Sequence, residues 1–520
     1  MDKIKILWAD DEIDLLKPHK LFLEKKGYEV LTVSNGYDAL EECEQSRDID
    51  VVFLDESMPG LTGLETLSRI KEMQPNLPIV MITKNEAEHV MEDAIGQQIA
   101  DYLIKPVNPN QILLSLKRII DNKRLVSERT MQSYQQSFRE LFMQIQSGLN
   151  HEEWVEVYKK LIGWELRLDA SGGDNMAEIL STQKAEANTE FSKYIIKNYL
   201  DWLGTKRDSA PTMSYNLLKN KIFPHVGDDT PSVMLLLDNL RYDQWKVIEP
   251  IITELFRIEE EDFFYAILPT STQYSRNAIF AGMMPADIEA RYPKWWLNDN
   301  EEGGKNMHEA DLLGENIQKI QRKSWKFDYV KITNVANAKI LEDNILNYLN
   351  NDFTVIVYNF IDMLSHARTE MEVLKELAGD EKAYRSLTRS WFQNSPLYAA
   401  LQKLASKNVR LFVTTDHGTI RVKTPSKVVA DKETTTNLRY KVGRNLQYDK
   451  RHVLEVRDPK VAGLPRPNVS STFIFAKEDV YFLYPNNYNH YNNYYRNTFQ
   501  HGGISLEECI CPVIRLRSKG

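Results

Sequence analysis

The chain has 520 residues, 42% of them hydrophobic and 27% charged, with a net charge of −9. That length supports two or three domains with cores of their own, and the apolar and charged fractions are those of a soluble globular protein. The acidic balance argues against a nucleic-acid binder working by bulk attraction, and three cysteines (Cys43, Cys509, Cys511) form no disulfide framework or C-x-x-C metal knuckle.

The opening MDKIKILWADDE carries acid where a signal peptide needs an apolar run, and no stretch is long enough to span a bilayer. The expectation is a cytoplasmic protein without membrane insertion. Over residues 1–122 apolar strands alternate with amphipathic helices in a βαβ rhythm. The strands are IKILWA, YEVLTV, DIDVVFLD, PIVMIT and DYLI, with helices from about Ile13 to Lys26, through Ala39-Leu40, and from Pro109 onward. Residues 123–207 carry apolar positions at helical spacing, as in SERTMQSYQQSFRELFMQIQ, with a break at Gly172-Gly173. They read as a helical module joining two larger domains. Over residues 208–520 the strand–helix alternation returns, and a tyrosine- and asparagine-rich stretch, YPNNYNHYNNYYRNTFQHGG, is expected as a loop leading into His501.

Two constellations carry chemistry, both at the carboxyl ends of strands, where an open α/β sheet holds its ligands. In the first, Asp10 and Asp11 follow the first strand, Asp55 the third, Thr83 the fourth and Lys105 the fifth. Clustered carboxylates bind Mg²⁺, one carboxylate serves as nucleophile, and a lysine and a hydroxyl meet the phosphoryl charge. This segment resembles the response-regulator receiver domain over its whole length. The resemblance implies a flavodoxin-like doubly wound fold, Asp55 as phosphoacceptor, and Asp10, Asp11 and Asp55 around Mg²⁺. It also implies Thr83, Lys105 and Tyr102 as switch residues and a sensor histidine kinase as partner. Lys84 departs from the small residue common after the switch threonine, and slowed phosphorylation or hydrolysis is expected from it.

In the second constellation, VMLLLD ends at Asp238, FTVIVYNFID ends at Asp362, and VRLFVTTDHG ends at Asp416-His417. Asp362 and His366 are four apart, one helical turn, and His501 precedes two glycines. Imidazole and carboxylate donors suit Zn²⁺, with Mn²⁺ as competitor. Gly418 is expected to permit a tight turn that aims Asp416 and His417 at one site. AILPTSTQYSRNAIFAG offers Thr270, Ser271, Thr272 and Ser275 as hydroxyls ahead of a helix, where an N-terminus favours an anion.

In their order, LLLDNLRYD, PTST, D-x-x-x-H, TTDHG and QHGG resemble the alkaline-phosphatase superfamily, most closely its PglZ branch, over roughly residues 210–520. The resemblance implies an alkaline-phosphatase-like α/β domain with Thr272 as nucleophile. It implies one Zn²⁺ held by Asp362, His366 and His501 and a second by Asp238, Asp416 and His417, with Thr272 bridging. Asn239, Arg241 and Arg276 lie near these motifs as candidate phosphate contacts. The succession of receiver, helical module and PglZ-type domain is similar to the PorX-type response regulators, which implies a homodimer on phosphorylation and control of type IX secretion. The function expected is a phosphodiesterase acting on cyclic or linear oligonucleotide-type diesters, with the aromatic-rich segment stacking bases. The alternative is a non-catalytic scaffold whose C-terminal domain binds a sigma factor or a secretion-system subunit.

Overall fold

The structure is a computed structural model that describes residues 3–46, 48–84, 99–171, 174–204, 209–228, 230–320, 325–364, 379–431 and 434–519. By packing, the chain divides into two compact units, Met1–Gln136 with Arg167–Met176 and Ser137–Leu166 with Ala177–Gly520. Most of the expected helical module clusters with the C-terminal residues.

The N-terminal unit holds five parallel strands in the order β2-β1-β3-β4-β5. They are β1 (Lys5–Ala9), β2 (Glu29–Val33), β3 (Val51–Asp55), β4 (Ile79–Thr83) and β5 (Asp101–Ile104). β3 and β4 are buried at every residue, as expected of central parallel strands covered on both faces. The sheet separates two cores, one around Leu54, Leu67 and Ile70 and one around Trp8, Phe53 and Ile112. Helices α1 (Lys17–Lys25), α2 (Gly36–Gln45) and α3 (Gly63–Met73) join the strands. The expected helix at Ile13 opens instead as a short 3-10 turn, Ile13–Leu16. α3 starts with a reciprocal cap between Thr62 and Glu65, which satisfies two free N–H groups. The fold is the flavodoxin-like doubly wound sheet expected.

Helix α4 (Pro109–Gln146) runs 38 residues without a break. Helices α5 (His151–Ser171) and α6 (Asp174–Leu203) follow. In the C-terminal unit, Trp154 of α5 packs edge-on to Phe191 of α6, and Trp202 packs on Tyr265.

The main C-terminal sheet has six strands: β6 (Ser232–Leu237), β7 (Phe256–Tyr265), β8 (Phe327–Ile332), β9 (Phe353–Tyr358), β10 (Arg410–Thr414) and β11 (Ile510–Ser518). Their order is β7-β11-β10-β6-β9-β8, parallel from β10 to β8, with β11 antiparallel to both neighbours. SVMLLL, FTVIVY and RLFVT are buried throughout and lie side by side, so the residues that follow them share one edge. Helices α7 (Tyr242–Leu255), α8 (Thr272–Ala281), α9 (Glu309–Ile320) and α10 (Glu381–Gln393) lie in the same unit. A three-stranded antiparallel sheet, Tyr440–Gly443, Thr472–Ala476 and Val453–Val456, is separate from the main one.

The tyrosine-rich stretch is not the loop expected. It follows the strand Val480–Leu483 and forms helix α11 (Tyr488–Tyr495) and the short strand Phe499–Gln500. Tyr481 is fully buried and donates its hydroxyl to Asn492, while Tyr488 and Tyr495 pack on the cluster of Ile420, Val422 and Leu483. These rings fill a core. No helix among the described residues is long and apolar enough to cross a membrane.

Candidate active site

In the receiver, Asp10, Asp11 and Asp55 bring carboxylate oxygens within 4.8 Å of one another. Lys105, directly after β5, places Nζ 2.9 Å from Asp10 Oδ2 and 2.9 Å from Asp55 Oδ1. Burial pushes the Asp55 carboxyl above its usual range, with Lys105 partly opposing the shift. An all-oxygen cluster of this kind suits Mg²⁺, and the lysine stands where phosphoryl charge would arrive. Thr83 donates its hydroxyl to Glu56, a neighbour of Asp55 that the sequence did not single out. Tyr102 is 37% exposed on β5. Lys84 is exposed, with Nζ 3.8 Å from Glu12.

In the C-terminal unit the ends of β10, β6 and β9 deliver Asp416-His417, Asp238 and Asp362 to one place. Asp238, Asp416 and His417 offer ligand atoms within 4.8 Å of one another, and all three are at most 1% exposed. Thr272 is the first residue of α8, after the N-cap Ser271. Its Oγ is 3.1 Å from His417 Nε2 and 3.4 Å from Asp238 Oδ1. The His417 and His501 rings stack at 4.3 Å, and His501 Nε2 is 3.8 Å from Asp362 Oδ1. His366 lies outside the described residues.

The donor set fits divalent cations. Among the described residues, Asp416 Oδ2 is buried with no hydrogen-bond partner. Burial and the charge of Asp238 push the Asp416 carboxyl up to about 6. Burial works the same way on Asp238, but Arg276 and His417 outweigh it and hold that carboxyl below its usual value. A bound cation would favour the charged form of both.

The four candidate hydroxyls separate by role. Thr270 Oγ donates to the Gly503 carbonyl at 2.8 Å and accepts from the Gly502 N–H at 3.1 Å, bracing the turn after His501. Ser275 Oγ is buried near the Ile267 carbonyl. Only Thr272, of the four, faces both Asp238 and His417.

The three candidate phosphate contacts all have other partners here. Arg276 is 1% exposed, with Nη1 2.6 Å from Asp238 Oδ2 and Nε 2.5 Å from Glu309 Oε1. Arg241 is equally buried and pairs with Asp243 and Glu381, each at 2.5 Å. Asn239, in a left-handed conformation at φ 67°, donates its N–H to Asp416 Oδ1 at 3.2 Å and its side chain to Asp362 Oδ1 at 3.4 Å. Asn239 therefore spans the carboxylates of Asp416 and Asp362 and orients them. Buried ionisable groups rarely lack a partner, which is why a guanidinium beside acidic ligands faces them first.

Gly418 also acts differently from expectation. Its backbone is not left-handed; an added Cβ would collide with the Glu507 carbonyl. Close approach, not turn flexibility, demands glycine there. Glu309 and Thr415 belong to the site's support and were missed. Thr415 Oγ accepts from the Leu240 N–H and donates to the His417 carbonyl, tying the Asp238 turn to the His417 turn. A glutamate opening a helix and a second threonine before Asp416 have no local pattern that marks them.

The family profile described as "BREX system PglZ alkaline phosphatase-like domain" matches residues 217–516, more than half of the chain. The chain belongs to the PglZ family. Ahead of the PglZ match, the profile "Response regulator receiver domain" covers residues 6–117 and "PorX response regulator linker domain" covers 124–203. The order is that of a PorX-type receiver–PglZ fusion: a two-component response-regulator receiver with an alkaline-phosphatase-like output domain. Response regulator SaeR of Staphylococcus epidermidis is 31% identical over 115 residues, 22% of this chain and 49% of that protein. The alkaline phosphatase synthesis transcriptional regulatory protein PhoP of Bacillus subtilis is 30% identical over 125 residues, 24% and 51%. The chain spans about half the length of these curated relatives. A receiver domain protein from Clostridium thermocellum, among solved structures, is 33% identical with a TM-score of 0.22, covering 24% of this chain and 98% of that one. A receiver takes its phosphoryl group from a donor such as a histidine kinase, and both domain types typically use divalent metals.

Proposed function

We propose that this PglZ-family response regulator is phosphorylated on Asp55 by a histidine kinase and that its output domain is a zinc-dependent phosphodiesterase with Thr272 as nucleophile. The observation that carries the reading is Thr272 itself: at the first turn of α8, its Oγ lies within 3.1 Å of His417 and 3.4 Å of Asp238. Two divalent ions, one held by Asp238, Asp416 and His417 and one by Asp362, His366 and His501, would supply Lewis-acid charge at the attacking and leaving oxygens.

The residues divide the work. The α8 N-terminus presents free N–H groups to the phosphate that Thr272 attacks. A bond forms from Thr272 Oγ to phosphorus, the bond to one ester oxygen breaks, and the leaving alkoxide takes up a proton. Water then cleaves the phosphothreonine and restores the hydroxyl. Arg276 and Asn239 hold the acids in register for this; Arg241 serves elsewhere.

An oligonucleotide-type diester, cyclic or linear, is the proposed substrate class. Helix α11 supports it with Tyr491, 40% exposed, and with the neighbouring rings of His490 and Tyr494. The fusion's resemblance to PorX-type regulators supports a homodimer on phosphorylation and a role in type IX secretion, in the cytoplasm. The test is hydrolysis of bis(p-nitrophenyl) phosphate by the full chain, with and without chelator. Loss of turnover with chelator and in Thr272→Val is expected. Equal rates for Thr272→Val and wild type would sink the nucleophile, and a metal-free, inactive wild type would favour the scaffold alternative.

A further inference from the structure

Helix α6 reaches the turn beyond His501 directly, through Lys184 and Asn188, and Glu165 of α5 pairs with that lysine. A largely buried run of alternating charges starts at Glu507, six residues after His501. Lys184 of α6 places Nζ 3.7 Å from Glu507 Oε1 and 2.7 Å from Glu165 Oε2 on α5. Glu165 Oε1 meets Arg385 at 2.8 Å, and Arg385 meets Asp243 at 2.9 Å. Asp243 in turn holds Arg241, three residues past Asp238. Burial alone would lower the Lys184 ammonium, but Glu165 and Glu507 outweigh it and hold it well above its usual value.

Asn188, one turn along α6, grips the same turn twice. Its Oδ1 accepts from the Leu506 N–H at 2.7 Å and its Nδ2 donates to Glu507 Oε2 at 3.0 Å, both groups being less than a tenth exposed. That turn bears on both stacked histidines. The Glu507 carbonyl sits against Gly418, next to His417. The adjacent Glu508 accepts from the Gly503 N–H at 2.9 Å, two residues from His501, and its carbonyl accepts from the Gly418 N–H at 3.3 Å. Moving the Leu506–Glu507 turn therefore moves the frame of both rings.

We propose that Asn188 and Lys184 are positioning residues of the metal centre: from the helical module they fix the Leu506–Glu507 turn and, through it, the spacing of His417 and His501. This rests on the reading that those histidines ligate divalent ions. Groups that orient first ligands commonly affect metal affinity about 10–100-fold. A helix that only covers the domain would alter stability and leave ligand geometry alone.

The test uses the full chain and the metal alone. Zn²⁺ affinity is measured by chelator competition, and the Co²⁺ absorption spectrum reports ligand geometry at saturation. Asn188→Ala should weaken Zn²⁺ binding about 10–100-fold and shift the Co²⁺ bands. Lys184→Met should do the same, and Lys184→Arg should recover most of the loss. Asn188→Ser, which keeps a polar group, replaces the alanine variant if that variant does not fold. Wild-type affinity within twofold and an unchanged Co²⁺ spectrum in the Asn188 variant overturn the proposal. A wild-type chain that binds neither ion would instead remove the metal-centre reading beneath it.

Discussion

Arg276→Met tests the electrostatics of the site most directly. The guanidinium is buried between Asp238 at 2.6 Å and Glu309 at 2.5 Å. At an effective dielectric of about 20, each contact is worth about 6 kcal/mol of attraction before desolvation. Most of that is offset by stripping water from three charges, so the pair adds little net stability. Removing one partner is different, because it leaves charge behind. Glu309 retains Lys331 at 3.0 Å and the Tyr329 hydroxyl; Asp238 loses its nearest cation. Stranding a buried carboxylate costs about 3–5 kcal/mol. Urea unfolding followed by tryptophan fluorescence should show that loss in chelator. Saturating Zn²⁺ should recover most of it, since a cation at Asp238, Asp416 and His417 supplies the missing positive charge. A loss below about 1 kcal/mol in chelator would refute the buried-pair reasoning. An equal loss with and without Zn²⁺ would refute Asp238 as a ligand.

Thr272→Val should abolish diester hydrolysis while shifting the urea unfolding free energy by less than about 1 kcal/mol, since Thr272 is one hydroxyl among many; a comparable fall in stability would mark it as structural. Gly418→Ala should destabilise by about 1–3 kcal/mol through overpacking against the Glu507 carbonyl and weaken Zn²⁺ binding; a wild-type melting curve would contradict the close approach. Lys84→Ala should speed acyl-phosphate-driven phosphorylation or dephosphorylation of Asp55 severalfold, and unchanged rates for both would refute a role for the long side chain. Lys441 is 1% exposed, and burial lowers its ammonium to about 7. The unfolded chain keeps its lysine near about 10.4, so between about 7 and 10.4 the unfolded state binds the extra proton and stability climbs with pH. Lys441→Met should therefore stabilise the protein at pH 7 and below by about 1–5 kcal/mol and flatten that climb; parallel pH profiles for variant and wild type would refute it.

The strands and their terminal acids were legible because buried parallel strands write themselves as unbroken apolar runs. SVMLLL, FTVIVY and RLFVT each need no partner to be recognised, and the residue types after them name metal and phosphate chemistry. Adjacency was not legible. That β10, β6 and β9 lie side by side depends on pairing between residues more than a hundred positions apart. The tyrosine-rich stretch misled because composition reports solvation of a free segment, whereas Tyr488 and Tyr495 pack against Ile420 and Val422.

By itself, then, the sequence determined the receiver, the α/β class of the second sheet, and the acids, histidines and hydroxyls that follow its strands, since each is encoded in local apolar periodicity and in residue chemistry. Tertiary structure alone decided that Arg241 belongs to a buried ion-pair run while Arg276 pairs with Asp238 and Glu309. It alone decided that Gly418 answers to the distant Glu507 carbonyl, and that helix α6 grips the turn beyond His501. These are long-range contacts in a close-packed interior, where a side chain's partner is set by what the fold brings against it, and no local pattern in the chain records that.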